Sequence, residues 1–268
     1  MKIKKILATT LATIAAFATL GFASCGPEKD TLIVYTEAGF PPWEYTLPGS
    51  TEVVGVDMEI AKYIANKYNW ELQIINGSFD SIVAGIKEDN ALGIAGISYD
   101  EERAQAVEYS DFYWGDAYQA VVYLNSSNPT LEEGKFAVSN FEGAKLVYQT
   151  GTTSQITISE NKTEWKVGNE ASFSQVAAAL QDMKTSTTAT YLIVDSQVAA
   201  QLVVSNTDIS YAAIVGVEAE QYGVVAKKGN TELISKVNAA LAELLEEDEN
   251  GSNQIEKWFV QHSATSAE

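Results

Sequence analysis

The sequence predicts an α/β protein built as two lobes. Two observations set the class. Short apolar runs of strand type alternate with stretches whose apolar residues recur at helical spacing. That rhythm breaks once, at the polar segment "SSNPTLEEGK" (126–135), and then restarts. A third observation is size: the 244 residues from Cys25 to Glu268 are enough for two ordinary lobes. The expected division places 32–123 and 223–268 in the first lobe and 124–222 in the second. The chain is expected to cross between them near 125–128 and 219–223.

The first elements are not fold. Lys2, Lys4 and Lys5 precede an apolar stretch from Ile6 to Leu20, and Phe22-Ala23-Ser24 leads to Cys25. This is a secretory signal layout. The small residues before the lone cysteine resemble a bacterial lipobox, with Phe22 where leucine is usual. Residues 1–24 are expected to be a signal peptide. Residues 25–31 would be a tether lipidated at Cys25, holding the protein outside the cytoplasm on the membrane. With one cysteine, no internal disulfide can form.

The fold begins with the strand "LIVY". Pro41 and Pro42 in "EAGFPPWEY" impose an extended turn. Ile60, Ala61, Ile64, Ala65 and Tyr68 then mark an amphipathic helix, with Asp57 as its expected N-cap. "ELQII" is a second strand, "FDSIVAGIK" a short helix and "ALGIAGIS" a third strand. A helix is expected to start at Glu101 behind an Asp100 cap, and "AYQAVVYLN" reads as the next strand. After the polar break, "KLVYQ" is a strand and "TGTTSQITI" a glycine-led helix start. "FSQVAAALQDM" is a helix, "TYLIV" a strand, and "DSQVAAQLVV" a helix that opens on Asp195. "YGVVAK" is a late strand. A helix striped by Leu233, Val237, Leu241 and Leu244 follows, and "NQIEKWF" closes the chain.

Charge and composition exclude several functions. Without the three signal lysines, 14 basic residues face 36 acidic ones, a net charge of −22. Such a surface repels phosphate backbones, so nucleic acid is not an expected partner. The single histidine, His262, lies near the C-terminus, which leaves little for histidine triads or histidine-ligated metals. No metal or cofactor is expected.

Arg103 stands out because it falls in the first turn of its expected helix, where the helix dipole disfavours a cation. No acid lies three or four residues on to explain it. It is either an ordinary ion-pair member or a guanidinium held for a ligand carboxylate. Asp195 ends a buried strand and caps a helix, with acceptor capacity left for a ligand ammonium. "QTGTTS" (149–154) places backbone N–H groups at a strand-to-helix turn, a seat for an anion. Phe40 and Phe79 are aromatics in turns, either lids on the core or walls for a ligand.

Taken together, "EAGFPPWEY", "VVGVDMEIAKYIA", "AGISYDEERAQAVEYSDFYW", "YQTGTTS", "YLIVDSQVA" and "YGVVAKKGNTELISKVNAAL…EKWF" resemble the family 3 extracellular solute-binding proteins, the amino-acid receptors of ABC importers. The resemblance implies a type II periplasmic-binding-protein fold, with mostly parallel sheets flanked by helices and two lobes that close on a ligand. It implies that Arg103 grips the α-carboxylate of a free amino acid, with Ser98 and the Thr153 backbone. Asp195 would pair with the α-ammonium, with the Gly96 carbonyl. Phe40 would stack on the ligand and Phe79 form a second apolar wall. Glu37, where the family often has aspartate, would stand near the side-chain pocket. The implied protein is a monomer that hands its ligand to membrane permease subunits. Two other readings fit the same fold: a secreted dehydratase of prephenate-like acids, and a sensory module reporting to a membrane receptor.

Overall fold

A computed structural model describes residues 30–265. The signal segment and Cys25 lie outside the described residues. The first lobe opens with β1 (Thr31–Thr36), whose Leu32 and Val34 enter one core while Ile33 and Tyr35 face another. The double proline follows a small antiparallel sheet edge, β2 (Gly39–Phe40), which pairs with β3 (Glu44–Thr46), and β3 pairs with β4 (Val53–Val54). Helix α1 (Val56–Lys67) buries Ile60, Ala61, Ile64 and Ala65, the expected stripe. β5 (Glu71–Asn76), α2 (Phe79–Gly85) and β6 (Ala91–Gly93) complete a parallel strand–helix–strand unit around β1.

Asp57 is not the cap of α1. Gly55 holds that position at φ 129, and a Cβ there would lie 2.1 Å from the Trp43 carbonyl oxygen. The helix therefore starts two residues earlier than a side-chain cap at 57 would allow. Asp57 is turned inward and wholly buried.

The helix expected around Arg103 is only α3 (Arg103–Ala106). The chain then becomes β7 (Val107–Leu124), an 18-residue strand that takes in "VEYSDFYW" ahead of the expected strand "AYQAVVYLN". β7 joins the two lobes. Residues from Val107 to Tyr118 pair with the first lobe's β14 (Ala219–Lys227). From Gln119 to Leu124 the strand pairs instead with the second lobe. Its partner changes between Tyr118 and Gln119, upstream of the expected 125–128, where Asn125–Ser127 form a 3-10 turn. Ala120, Val121, Val122 and Tyr123 accordingly pack in the second lobe's cores, and Tyr222 in the first lobe's.

The second lobe contains a small hairpin of β8 (Leu131–Glu132) and β9 (Lys135–Phe136). β10 (Lys145–Gln149), α4 (Thr153–Asn161), β11 (Asn169–Phe173), α5 (Val176–Thr185), β12 (Thr190–Asp195), α6 (Ser196–Ser205) and β13 (Ile209–Ala213) follow. β11, β10 and β12 run parallel, and β7 pairs antiparallel with β12 and β13. Strand alternation divides β7 between two cores: Val121 and Tyr123 on one face, Ala120 and Val122 on the other. β14 returns to the first lobe, where α7 (Thr231–Leu244) buries Leu233, Val237, Leu241 and Leu244, and α8 (Gln254–Thr265) ends the described chain. Nine strands form one continuous mixed sheet, in which β7 and β14 span the junction between the lobes.

Candidate functional site

The carboxyl ends of strands from both lobes meet around a small, tightly closed cavity with a free volume of about 20 Å³. Phe40, Phe79, Gly96, Ser98 and Arg103 line it from the first lobe, and Thr153 and Asp195 from the second. Seven of the eight predicted ligand residues thus share one cavity. Glu37 lies in an adjoining interlobe pocket, with Asn76, Ser78, Ser174 and Gln175.

Arg103 is the only arginine of the chain. Asp100 Oδ1 accepts its backbone N–H at 2.8 Å, although the helix starts at Arg103 rather than at the expected Glu101 and Glu102 holds the N-cap position. Its Nη1 donates to the Ser98 carbonyl at 2.6 Å, and its Nη2 to the Gly151 carbonyl of the second lobe at 3.0 Å. The guanidinium stands 5.7 Å from the Phe79 ring centre. Among the described residues no carboxylate forms an ion pair with it. A guanidinium carries about five N–H donors, so part of the fork remains available in the cavity.

Asp195 is 5% exposed and caps α6, its Oδ1 accepting the Gln197 N–H at 2.8 Å. Its Oδ2 is buried and makes no close hydrogen bond among the described residues, with the Tyr222 hydroxyl nearby. Burial pushes its pKa up to about 7. The nearby Tyr222 hydroxyl and the Gln197 N–H favour the charged form, and the charge of Glu220 disfavours it. A buried acid with one idle oxygen can accept a ligand cation.

Gly96 sits at φ +51, and a Cβ there would meet the Phe40 ring at 3.1 Å. Its N–H donates to Asp57 Oδ2 at 2.7 Å, and Tyr113 Oη donates to Asp57 Oδ1 at 2.9 Å. Burial raises Asp57 to about 6. Burial and the neighbouring Asp57 push Glu44 well above the usual carboxylate range, which favours its protonated form. Below this pair Trp43 packs edge-on against Tyr113, Trp114 and Tyr222.

Glu37 is 3% exposed and its Oε2 makes no hydrogen bond among the described residues. Burial raises its pKa, while the Gln149 side chain and the Gly39 N–H favour its charged form. Gln149 lines the main cavity, so it stands between the two pockets.

Three polar residues of this region were not predicted as site residues. Gln119, Ser154 and Glu220 form a network with Ser98 and Thr153. Glu220 Oε2 accepts the hydroxyls of Ser98 at 2.5 Å and Thr153 at 3.0 Å. Local sequence gives no signal for them, since each is an ordinary polar residue in or beside a strand or helix. His262 lies elsewhere, its ring Nδ1 3.2 Å from the Tyr45 hydroxyl, and burial lowers its pKa.

A cavity between two α/β lobes, with a guanidinium outside any ion pair on one wall and a buried carboxylate on the other, is the arrangement of a solute-binding protein. The chain belongs to the bacterial extracellular solute-binding proteins, family 3, which it matches over residues 32–261. It is 27% identical to the arginine-binding extracellular protein ArtP of Bacillus subtilis, over 93% of this chain and 97% of that protein. It is 23% identical to the L-cystine-binding protein TcyJ of Escherichia coli, over 92% of this chain and 89% of that one. Among solved structures it resembles AbpA, an amino-acid ABC transporter substrate-binding protein from Streptococcus pneumoniae bound to L-arginine. The TM-score there is 0.78 at 25% identity, covering 89% of this chain and 96% of that one. Holo ArgBP from T. maritima aligns with a TM-score of 0.72 at 28% identity, covering 85% and 96%.

Proposed function

We propose that this chain is the extracytoplasmic substrate-binding component of an ABC importer and that it captures a free L-amino acid with a cationic side chain. One observation carries the reading. Arg103, the only arginine, and Asp195 line the same cavity from opposite lobes, and among the described residues neither forms an ion pair. A zwitterion satisfies both at once, its carboxylate on Arg103 and its ammonium on Asp195 and the Gly96 carbonyl. Phe40 and Phe79 supply apolar walls. Only a ligand carrying both charges ties the lobes together, so ligand favours closure. The lobes turn about β7 near Tyr118–Gln119 and about the lead into β14 before Ala219.

The buried Glu37, whose Oε2 makes no hydrogen bond among the described residues, supports a cationic side chain. A guanidinium or ammonium extending past Gln149 would meet a buried carboxylate with one oxygen to spare. The arginine-binding relatives point the same way. The relatives are named as binding proteins, and we read this chain as non-catalytic. Incubation with cyclohexadienyl acids should produce no new aromatic chromophore. Lipidation at Cys25 would tether the monomer beside its permease, and mass spectrometry of the membrane-extracted chain would detect the acylated cysteine. No helix among the described residues is long and apolar enough to cross a membrane.

The direct test is calorimetric titration with L-arginine, L-lysine, L-glutamine, L-cystine and L-glutamate. Micromolar binding, about −8 kcal/mol, is expected for L-arginine and none for L-glutamate. Binding of dicarboxylates or sugars alone would sink the proposal.

A further inference from the structure

We infer that Glu220 is a latch: its carboxylate takes hydroxyl donors from both lobes at once and holds the closed form together, with or without ligand. Glu220 stands on β14 at the lobe junction. Its Oε2 accepts Ser98 Oγ of the first lobe at 2.5 Å and Thr153 Oγ1 of the second at 3.0 Å. Its Oε1 accepts Gln119 Nε2 at 2.8 Å, from the residue where β7 changes partners. Gln119 extends the tie into α4, with Nε2 to Thr153 Oγ1 at 3.0 Å and Oε1 accepting Ser154 Oγ at 2.6 Å. Among the described residues no cation forms an ion pair with Glu220, so its charge is met by hydroxyl and amide donors alone.

Two consequences follow. A hydroxyl donates one proton, and those of Ser98 and Thr153 are committed to Glu220. They offer lone pairs to the cavity, so a ligand carboxylate is left to Arg103 and backbone N–H groups. The Ser98 and Thr153 bonds also exist together only when the lobes are apposed. Opening the cleft must break one of them, which makes Glu220 a positioning residue for closure rather than a ligand contact.

The latch goes beyond the amino-acid reading and is testable without ligand. Small-angle X-ray scattering on the ligand-free mature chain compares wild type, Glu220→Ala, Glu220→Gln and Thr153→Val. Circular dichroism verifies that each is folded. The compact form is expected in wild type, reduced in Glu220→Gln and Thr153→Val, and at least tenfold rarer in Glu220→Ala. Adding Thr153→Val to Glu220→Ala should open the protein no further, because both remove the same tie. With L-arginine as probe, Glu220→Ala should release ligand at least tenfold faster with little change in association. Ligand-free scattering that is the same in wild type and Glu220→Ala overturns the latch. If L-arginine binds neither protein, the ligand assignment fails, and the scattering comparison still decides the latch.

Discussion

At the scale of single residues, the site is built from charges that the protein leaves unmatched. Arg103 is half-buried with carbonyls but no carboxylate beside it. Removing it would leave a ligand carboxylate buried and unpaired, a loss of about 3–5 kcal/mol. Calorimetry should show Arg103→Ala binding L-arginine at least about a hundredfold more weakly, at 1.4 kcal/mol per decade. Arg103→Lys should fall between, since it keeps the charge and loses the fork. Asp195 links the site to pH. The fold holds its proton more tightly than an unfolded aspartate does, because burial raises it to about 7. Its contribution to stability is therefore present below about pH 4 and lost as the pH rises through about 7. A ligand ammonium favours the ionised form, so affinity runs the other way. Below pH 7, L-arginine binding should weaken by up to about tenfold per unit and release close to one proton. Titrations in buffers of different ionisation enthalpy measure that proton directly. Equal enthalpies at pH 6 would show that Asp195 is already charged. Arg103 was legible in the sequence because a cation in a first turn contradicts the local electrostatics. Glu220 was not: it is one of 36 acidic residues, and only the fold brings Ser98 and Thr153 to it.

At the scale of elements, the entry to α1 explains both a misreading and a dependence. The pattern of Ile60, Ala61 and Ile64 announces the helix, and an aspartate near its start invites a capping role. Two facts outside the local sequence overrule it. Gly55 passes so close to the Trp43 carbonyl that no side chain fits, and the Gly96 N–H requires an acceptor in the core. Gly55→Ala would combine that clash with a positive φ, and should cost at least about 2 kcal/mol in urea denaturation. Glu44→Gln should be mild by comparison, within about 1 kcal/mol at pH 7, because the amide resembles the protonated acid that burial and Asp57 favour. A larger loss would mean that Glu44 is ionised in the fold. β7 was hidden for a related reason. "VEYSDFYW" mixes polar and aromatic residues with no clean period, and "EERAQA" before it favours a helix. Pairing with β14 decides the conformation, and that pairing spans more than a hundred residues of chain. β10 and β12, by contrast, were legible because strands buried on both faces read as unbroken apolar runs. β11 and β13 carry exposed or mixed positions, and their strand character comes from their neighbours.

At the scale of the whole molecule, two lobes are carried by one sheet, so the junction is made of strands rather than loops. That explains why the polar break at 126–135 was a poor guide to the crossing. Polar residues mark exposed surface, whereas β7 passes between lobes inside an apolar run whose alternating sides fill two cores. It also bears on how ligand and stability are coupled. Each lobe has its own buried core, and the cavity between them holds charges that neither lobe neutralises. A ligand that supplies both counter-charges binds the closed fold and not the unfolded chain. Free L-arginine at a hundred times its dissociation constant should then stabilise the protein by about 2.7 kcal/mol. For a chain of this size that corresponds to a melting rise of about 5–10 °C. The rise should depend on the two clamps together. Arg103→Ala and Asp195→Asn should each nearly abolish it at the same ligand concentration, although the clamps stand on different lobes. Scanning calorimetry of the three proteins, with and without L-arginine, tests this. A full rise in either variant would show that one lobe alone holds the ligand, and closure would then have no part in the affinity.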